Sequence, residues 1–206
     1  MGYRSAPEFV AMHALRIKGF ATTDTIAEIA AQPAVEANGY LVGMESSGLV
    51  RFREGRDLWQ LTPEGRAEHL VRLQNEVADS GAKSHLERRY PDFLEINGRF
   101  KLICTDWQVR GGEINDHADG AYDQAVISRL LALHDDAIPI VVDAAQALER
   151  LGPYQARLDG VLGRLSNGDH NMFTGVMCGS YHDVWMELHE DLILTQGIDR
   201  AIEGSF

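Results

Sequence analysis

Cysteine pairs, long apolar runs and positive charge are all scarce in this chain. The two cysteines, Cys104 and Cys178, lie far apart and form neither a disulfide framework nor a Cys-x-x-Cys pair. Both are expected as reduced thiols in a cytoplasmic protein. No apolar run approaches the ~20 residues that span a bilayer, so no membrane partner is expected. The opening Met1-Gly-Tyr-Arg-Ser-Ala-Pro7 lacks the apolar core of a secretory leader, and Ala6 stands where a myristoylation signal needs Ser or Thr. A Gly-x-Gly-x-x-Gly turn, P-loop glycines and a Gly-x-Ser-x-Gly elbow are also missing. The expectation is therefore a chain without catalytic residues, metal or resident cofactor.

With 45% hydrophobic and 24% charged residues over 206 positions, the composition is that of an ordinary globular protein of one sizeable or two small domains. Nineteen Lys and Arg stand against 31 Asp and Glu, a net charge of −12 that excludes binding of nucleic acid through a general cationic surface. The imbalance is uneven. Residues 1–80 hold 8 cations and 11 anions, residues 81–206 hold 11 and 20, and three of the first eight cations fall at Arg51, Arg53 and Arg56.

Those arginines belong to the most legible stretch, Gly48 to Arg66. Val50 and Phe52 alternate with Arg51 and Arg53, giving a strand with one apolar and one cationic face. Glu54-Gly55-Arg56 makes a turn, and Leu58, Trp59 and Leu61 form the return strand. Thr62 then supplies an N-cap ahead of Pro63 at the first helical position. A hairpin this short needs helices on either side. Upstream, Pro7 opens a helix that Gly19 stops, and Thr22 or Thr23 caps a second helix. A third runs from about Ala34 to Ser47, with Ala37, Tyr40, Leu41 and Met44 at i, i+3, i+4, i+7.

The order α-α-α-β-β-α over residues 8–75, the helix-turn-helix Thr23–Ser47, Gly48-Leu-Val-Arg51 and Leu61-Thr-Pro-Glu-Gly-Arg66 together resemble a winged helix-turn-helix domain of MarR-like transcriptional regulators. The resemblance covers about a third of the chain. It implies a third helix lying in a major groove, with Glu36, Asn38, Gly39, Val42 and Gly43 facing bases, and a wing whose Arg51, Arg53 and Arg56, with Arg66, meet phosphates. It also implies a homodimer on a double-stranded operator and a small-molecule effector. The third helix departs from the usual pattern, since it has no Lys or Arg and carries Glu36 and Glu45.

A polar segment Asp79–Ser84 suggests a linker, placing a winged helix-turn-helix domain at 1–80 and a helical ligand-sensing or dimerisation domain at 81–206. In the second half, Pro91 is expected to start a helix with Phe100 and Trp107 on its inner face. Gly111-Gly112 ends that helix, a long helix bends at Pro139, and Ser180 caps a final helix bearing Tyr181, His182, Trp185 and His189. These six side chains are the candidates for a ligand pocket, with core packing as the plainer reading of the aromatics. Asn115-Asp116-His117 and Asp119 read either as an acid/base or metal group or as a helix cap. His182 and His189, seven apart, are too far apart to hold one metal by themselves. The fold class expected is mainly α: a winged helix followed by an all-helical region. Two other functions compete with a DNA-binding regulator: a winged-helix interaction module that never touches DNA, and a small metal-binding enzyme using His117, His134, His182 and His189.

Overall fold

A computed structural model describes residues 2–199 and Glu203. Helix α1 (Pro7–Lys18) begins on a proline and stops at Gly19, whose φ of 79° lies in the left-handed region. In α2 (Thr23–Ala30) the cap is Thr22, which accepts the N–H of Thr25. After α3 (Ala34–Ser46) the chain enters the antiparallel hairpin β1 (Val50–Arg53) and β2 (Leu58–Leu61), with Phe52 opposite Trp59 and Arg51 opposite Gln60. The turn is a single 3₁₀ turn, Glu54–Arg56, closed by Asp57 in the left-handed region. Ala21 exchanges both backbone hydrogen bonds with Trp59, and the Trp59 indole donates to Thr23 Oγ1, so the hairpin is fastened to the start of α2. The arrangement is that of a winged helix.

Helix α4 (Pro63–Ser80) starts as the Thr-Pro-Glu-Gly motif requires. Thr62 accepts the N–H of Gly65 and donates to the carbonyls of Gly48 and Leu49. The glycine is needed for space: a Cβ at Gly65 would lie 1.8 Å from the Leu49 carbonyl oxygen. Met12, Leu15, Ile26, Leu41, Met44, Val50, Trp59 and Leu61 form the hydrophobic cluster beneath this layer.

A second cluster, spanning residues 82–193, fills the space between the long antiparallel helices α5 (Ala82–Gln108) and α6 (Gly120–Ala147) and the shorter α7 (Pro153–Ser166), α8 (Asn171–Thr174) and α9 (Tyr181–Gln196). The expected linker is helical. Asp79 and Ser80 end α4, Ala82 begins α5, and only Gly81 at φ 64° stands between them. Pro91 does not start a helix either. Helix α5 runs through it, because Leu86, Tyr90, Phe93 and Asn97 form one continuous buried stripe whose packing outweighs one lost hydrogen bond. Where a helix end was expected at Gly111-Gly112, those two glycines, at φ 62° and 89°, turn a second small hairpin, β3 (Val109–Arg110) and β4 (Glu113–Ile114). Helix α6 is continuous through Pro139. Among the described residues, no helix is long and apolar enough to cross a membrane.

Candidate functional site

The wing presents its charges outward. Val50 is buried and Phe52 half-buried against Trp59, with ring centroids 4.7 Å apart, so the alternation leaves Arg51 and Arg53 exposed on the opposite face. Arg56, on the turn, and Arg66, in the first turns of α4, are exposed too. None of these four arginines forms an ion pair among the described residues. Arg53 donates only to Gln60 Oε1, at 2.9 Å. Beside them, α3 buries Ala37, Leu41 and Met44 and exposes Val35, Glu36, Asn38, Gly39, Val42 and Gly43 along its outer face. A Cβ at Gly39 or Gly43 would meet nothing within 4 Å, so no packing inside the chain calls for glycine at either place. Glu45, one of the two acids on this helix, accepts the backbone N–H of Phe52 and so ties α3 to the wing. The surface thus pairs a neutral-to-acidic helix face with a cationic hairpin.

The six candidate ligand residues separate into two groups. Phe100, His182 and His189 line one cavity of about 240 Å³ between α5 and α9, together with Asn97, Lys101, Cys104 and Met186. Tyr181 and Trp185 are fully buried behind it. Trp185 stacks on Phe93 and donates to Asn97 Oδ1 at 2.9 Å. Trp107 is elsewhere, packed on His117 and Phe173. The four residues not anticipated had a signal in the sequence: Asn97, Lys101 and Cys104 follow i, i+4, i+7, as do His182, Met186 and His189 on the facing helix. Burial pushes the Cys104 thiol up to about 12, which keeps it protonated and inert.

Three histidines sit with separate carboxylates. His117 Nδ1 lies 3.0 Å from Asp123, His134 Nε2 lies 2.9 Å from Asp159, and His85 meets Asp143. Asp119 caps α6 by accepting the N–H groups of Ala121 and Tyr122, and these bonds together with Arg110 lower its carboxyl pKa. Among the described residues, no three His, Cys, Asp or Glu side chains converge as a metal site.

Sequence reasoning missed a buried polar network altogether. Arg150, in the 3₁₀ turn Glu149–Leu151, donates through Nε to Glu76 on α4, through Nη1 to Asp191 Oδ1 at 2.5 Å, and through Nη2 to Thr195 at 2.8 Å. Asp191 Oδ1 also lies 3.0 Å from His13 Nε2 on α1, and His13 Nδ1 lies 2.9 Å from His69 Nε2 on α4. Ser5 donates to Glu76, and Tyr154 donates to Asp191. Burial alone would raise the Asp191 carboxyl, but the Arg150 and His13 charges hold it well below the ordinary range. Burial, followed by the charges of His13, Arg16 and Arg150, pushes the His69 imidazole down from 6.5 to about 3, so it is neutral at pH 7. This network joins α1 and α4 of the winged helix to α9 and the turn before α7.

No family model, no curated protein and no solved structure matches this chain.

Proposed function

We propose that the chain is a DNA-binding transcriptional regulator. In this reading the MarR-like winged helix docks on an operator, and the C-terminal helical region dimerises, senses a small molecule, or does both. The observation that carries it is the set of four exposed arginines, Arg51, Arg53, Arg56 and Arg66, which have no ion-pair partner among the described residues and lie beside the open outer face of α3. On a molecule of net charge −12, cations without carboxylate partners among the described residues, on a small hairpin and the start of α4, suit phosphates arriving from outside. Asn38 suits an adenine edge and Glu36 a cytosine amine. The cavity bounded by Phe100, His182 and His189 supports the sensing role, being mostly apolar with a few convergent polar groups. The reading needs no catalytic residue and no metal.

The test is selection of bound duplexes from a random-sequence library by the purified protein, followed by gel shifts across a salt series. The expected result is an enriched two-fold symmetric site with half-sites about one helical turn apart and steep salt dependence. Failure to enrich any motif would overturn it. A second reading, a winged helix that binds a protein, is favoured by Val35 and Val42, which are exposed on α3 beside its acidic residues. The same selection distinguishes the two readings.

A further inference from the structure

A cavity of about 570 Å³ lies away from both the wing and the α5–α9 pocket, in the cleft between α2 and α7. We propose that this cleft binds a small molecule through a phosphate or carboxylate group, held between the winged helix and the helical region. Lys18 reaches it from the end of α1, Thr25 and Glu28 from α2, and Arg157, Gly160 and Arg164 from one face of α7.

Arg157 carries the argument. Its side chain is only 10% exposed, and its Nη2 donates to Glu187 Oε2 at 2.6 Å, while Lys18 takes the other oxygen of that carboxylate at 2.6 Å. Both oxygens of Glu187 are thereby used. The Nε and Nη1 groups of Arg157 are enclosed with no hydrogen-bond acceptor among the described residues. Glu28 Oε1, at 3.9 Å from Nε, is in ion-pair range but beyond hydrogen-bond reach, and the Tyr154 ring lies 5.6 Å away. Buried guanidinium donors without acceptors are costly and uncommon, and a shift of this covered fork toward the cleft would give both donors an oxyanion to match. Arg164 adds a third cation. Its own partner, Asp169, forms an exposed pair that competes weakly.

Gly160 gives the cleft its depth. A Cβ there would meet nothing within 4 Å, so an interior position of α7 has been left bare where the cavity lies. A ligand bridging Lys18 and Arg157 would tie α1, which packs on α2 and α3, to α7. The inference concerns this cleft alone and holds whether or not the wing meets DNA.

Cys178 lines the same cleft and is half-exposed, whereas Cys104 is buried and protonated, so alkylation of the native protein reports on the cleft. The experiment follows iodoacetamide modification of Cys178 with inorganic pyrophosphate or citrate, against chloride at matched ionic strength. The two probes distinguish a phosphate from a carboxylate group. At ten times its Kd, a bound oxyanion should slow modification about tenfold. Glu28→Gln should tighten binding by removing the competing carboxylate. Gly160→Leu places a good helix former in open space, keeps the fold by circular dichroism, and should abolish protection; Arg164→Gln should weaken it. If neither oxyanion protects beyond chloride, or if Gly160→Leu is protected as well as the parent, the proposal is overturned.

Discussion

Arg53 on the hairpin and Arg150 at the junction carry the same guanidinium in opposite circumstances. Arg53 is exposed and touches one amide oxygen, whereas the Arg150 side chain is 2% exposed and is surrounded by two carboxylates, an imidazole and a hydroxyl. In the first case the charge is available to a partner. In the second it is consumed inside the fold, where it joins two regions with separate hydrophobic clusters. An arginine without an internal partner keeps its charge at the surface, and a fully partnered one holds the fold together.

The sharpest way to break this comparison is to remove each kind of arginine in turn. Arg150→Met leaves Glu76 and Asp191 buried without the guanidinium they share, and should cost about 3–5 kcal/mol in urea unfolding. The double variant Arg53→Ala/Arg56→Ala should change stability by no more than about 0.5 kcal/mol while abolishing operator binding. Equal destabilisation by the two variants would mean that the wing charges serve the fold, and the contrast would collapse.

Next in size is Gly65→Ala. A Cβ 1.8 Å from the Leu49 carbonyl oxygen forces α4 and the hairpin apart, at a cost of about 1–3 kcal/mol or more. Operator binding should fall with it, since the wing would no longer be held at its angle to α3. A thermal melt showing no loss would remove Gly65 as the clamp.

How much could be read from the sequence follows from how local the signals are. The caps at Thr22, Thr62 and Ser180, the alternation of Val50 and Phe52 with arginines, and the third helix are set by neighbours within a few residues, and each stands where it was expected. The cavity between α5 and α9 was half visible, because Phe100, His182 and His189 lie on inner faces whose meeting depends on tertiary packing. The junction was not visible at all. Glu76 and Asp191 look like the polar faces of amphipathic helices, and His13 looks like an accident in an apolar stripe. Only the convergence of α1, α4, α9 and the turn at Arg150 makes them partners. Pro91 misled because a proline reads as a boundary when its surroundings are ignored.

The junction also makes stability depend on pH. His69 binds its proton less tightly in the folded chain, at about 3, than in the unfolded chain, at 6.5. The unfolded state therefore takes up the extra proton as pH falls, so this contribution is intact above pH 6.5 and is lost progressively down to about pH 3. At pH 5 the loss should be about 2 kcal/mol. His69→Gln removes the titration, and its stability should be flatter than the parent's between pH 7 and 5. Parallel curves for the two proteins would show that His69 is not the group responsible.

The smallest expected effect concerns the surface that faces outward. Gly39 and Gly43 sit in the interior of α3 with open space where a Cβ would go, so Gly39→Ala and Gly43→Ala should each stabilise the fold by about 1 kcal/mol. A helix that leaves this gain unused at two positions one turn apart has reason to keep a bare strip, and backbone approach by a partner is such a reason. Added methyl groups should then raise the melting temperature while weakening operator binding. The opposite signs are what distinguish a contact surface from an indifferent one. If both alanines stabilise and the affinity for the selected operator is unchanged, α3 does not meet DNA along this strip, and recognition has to rest on the wing alone.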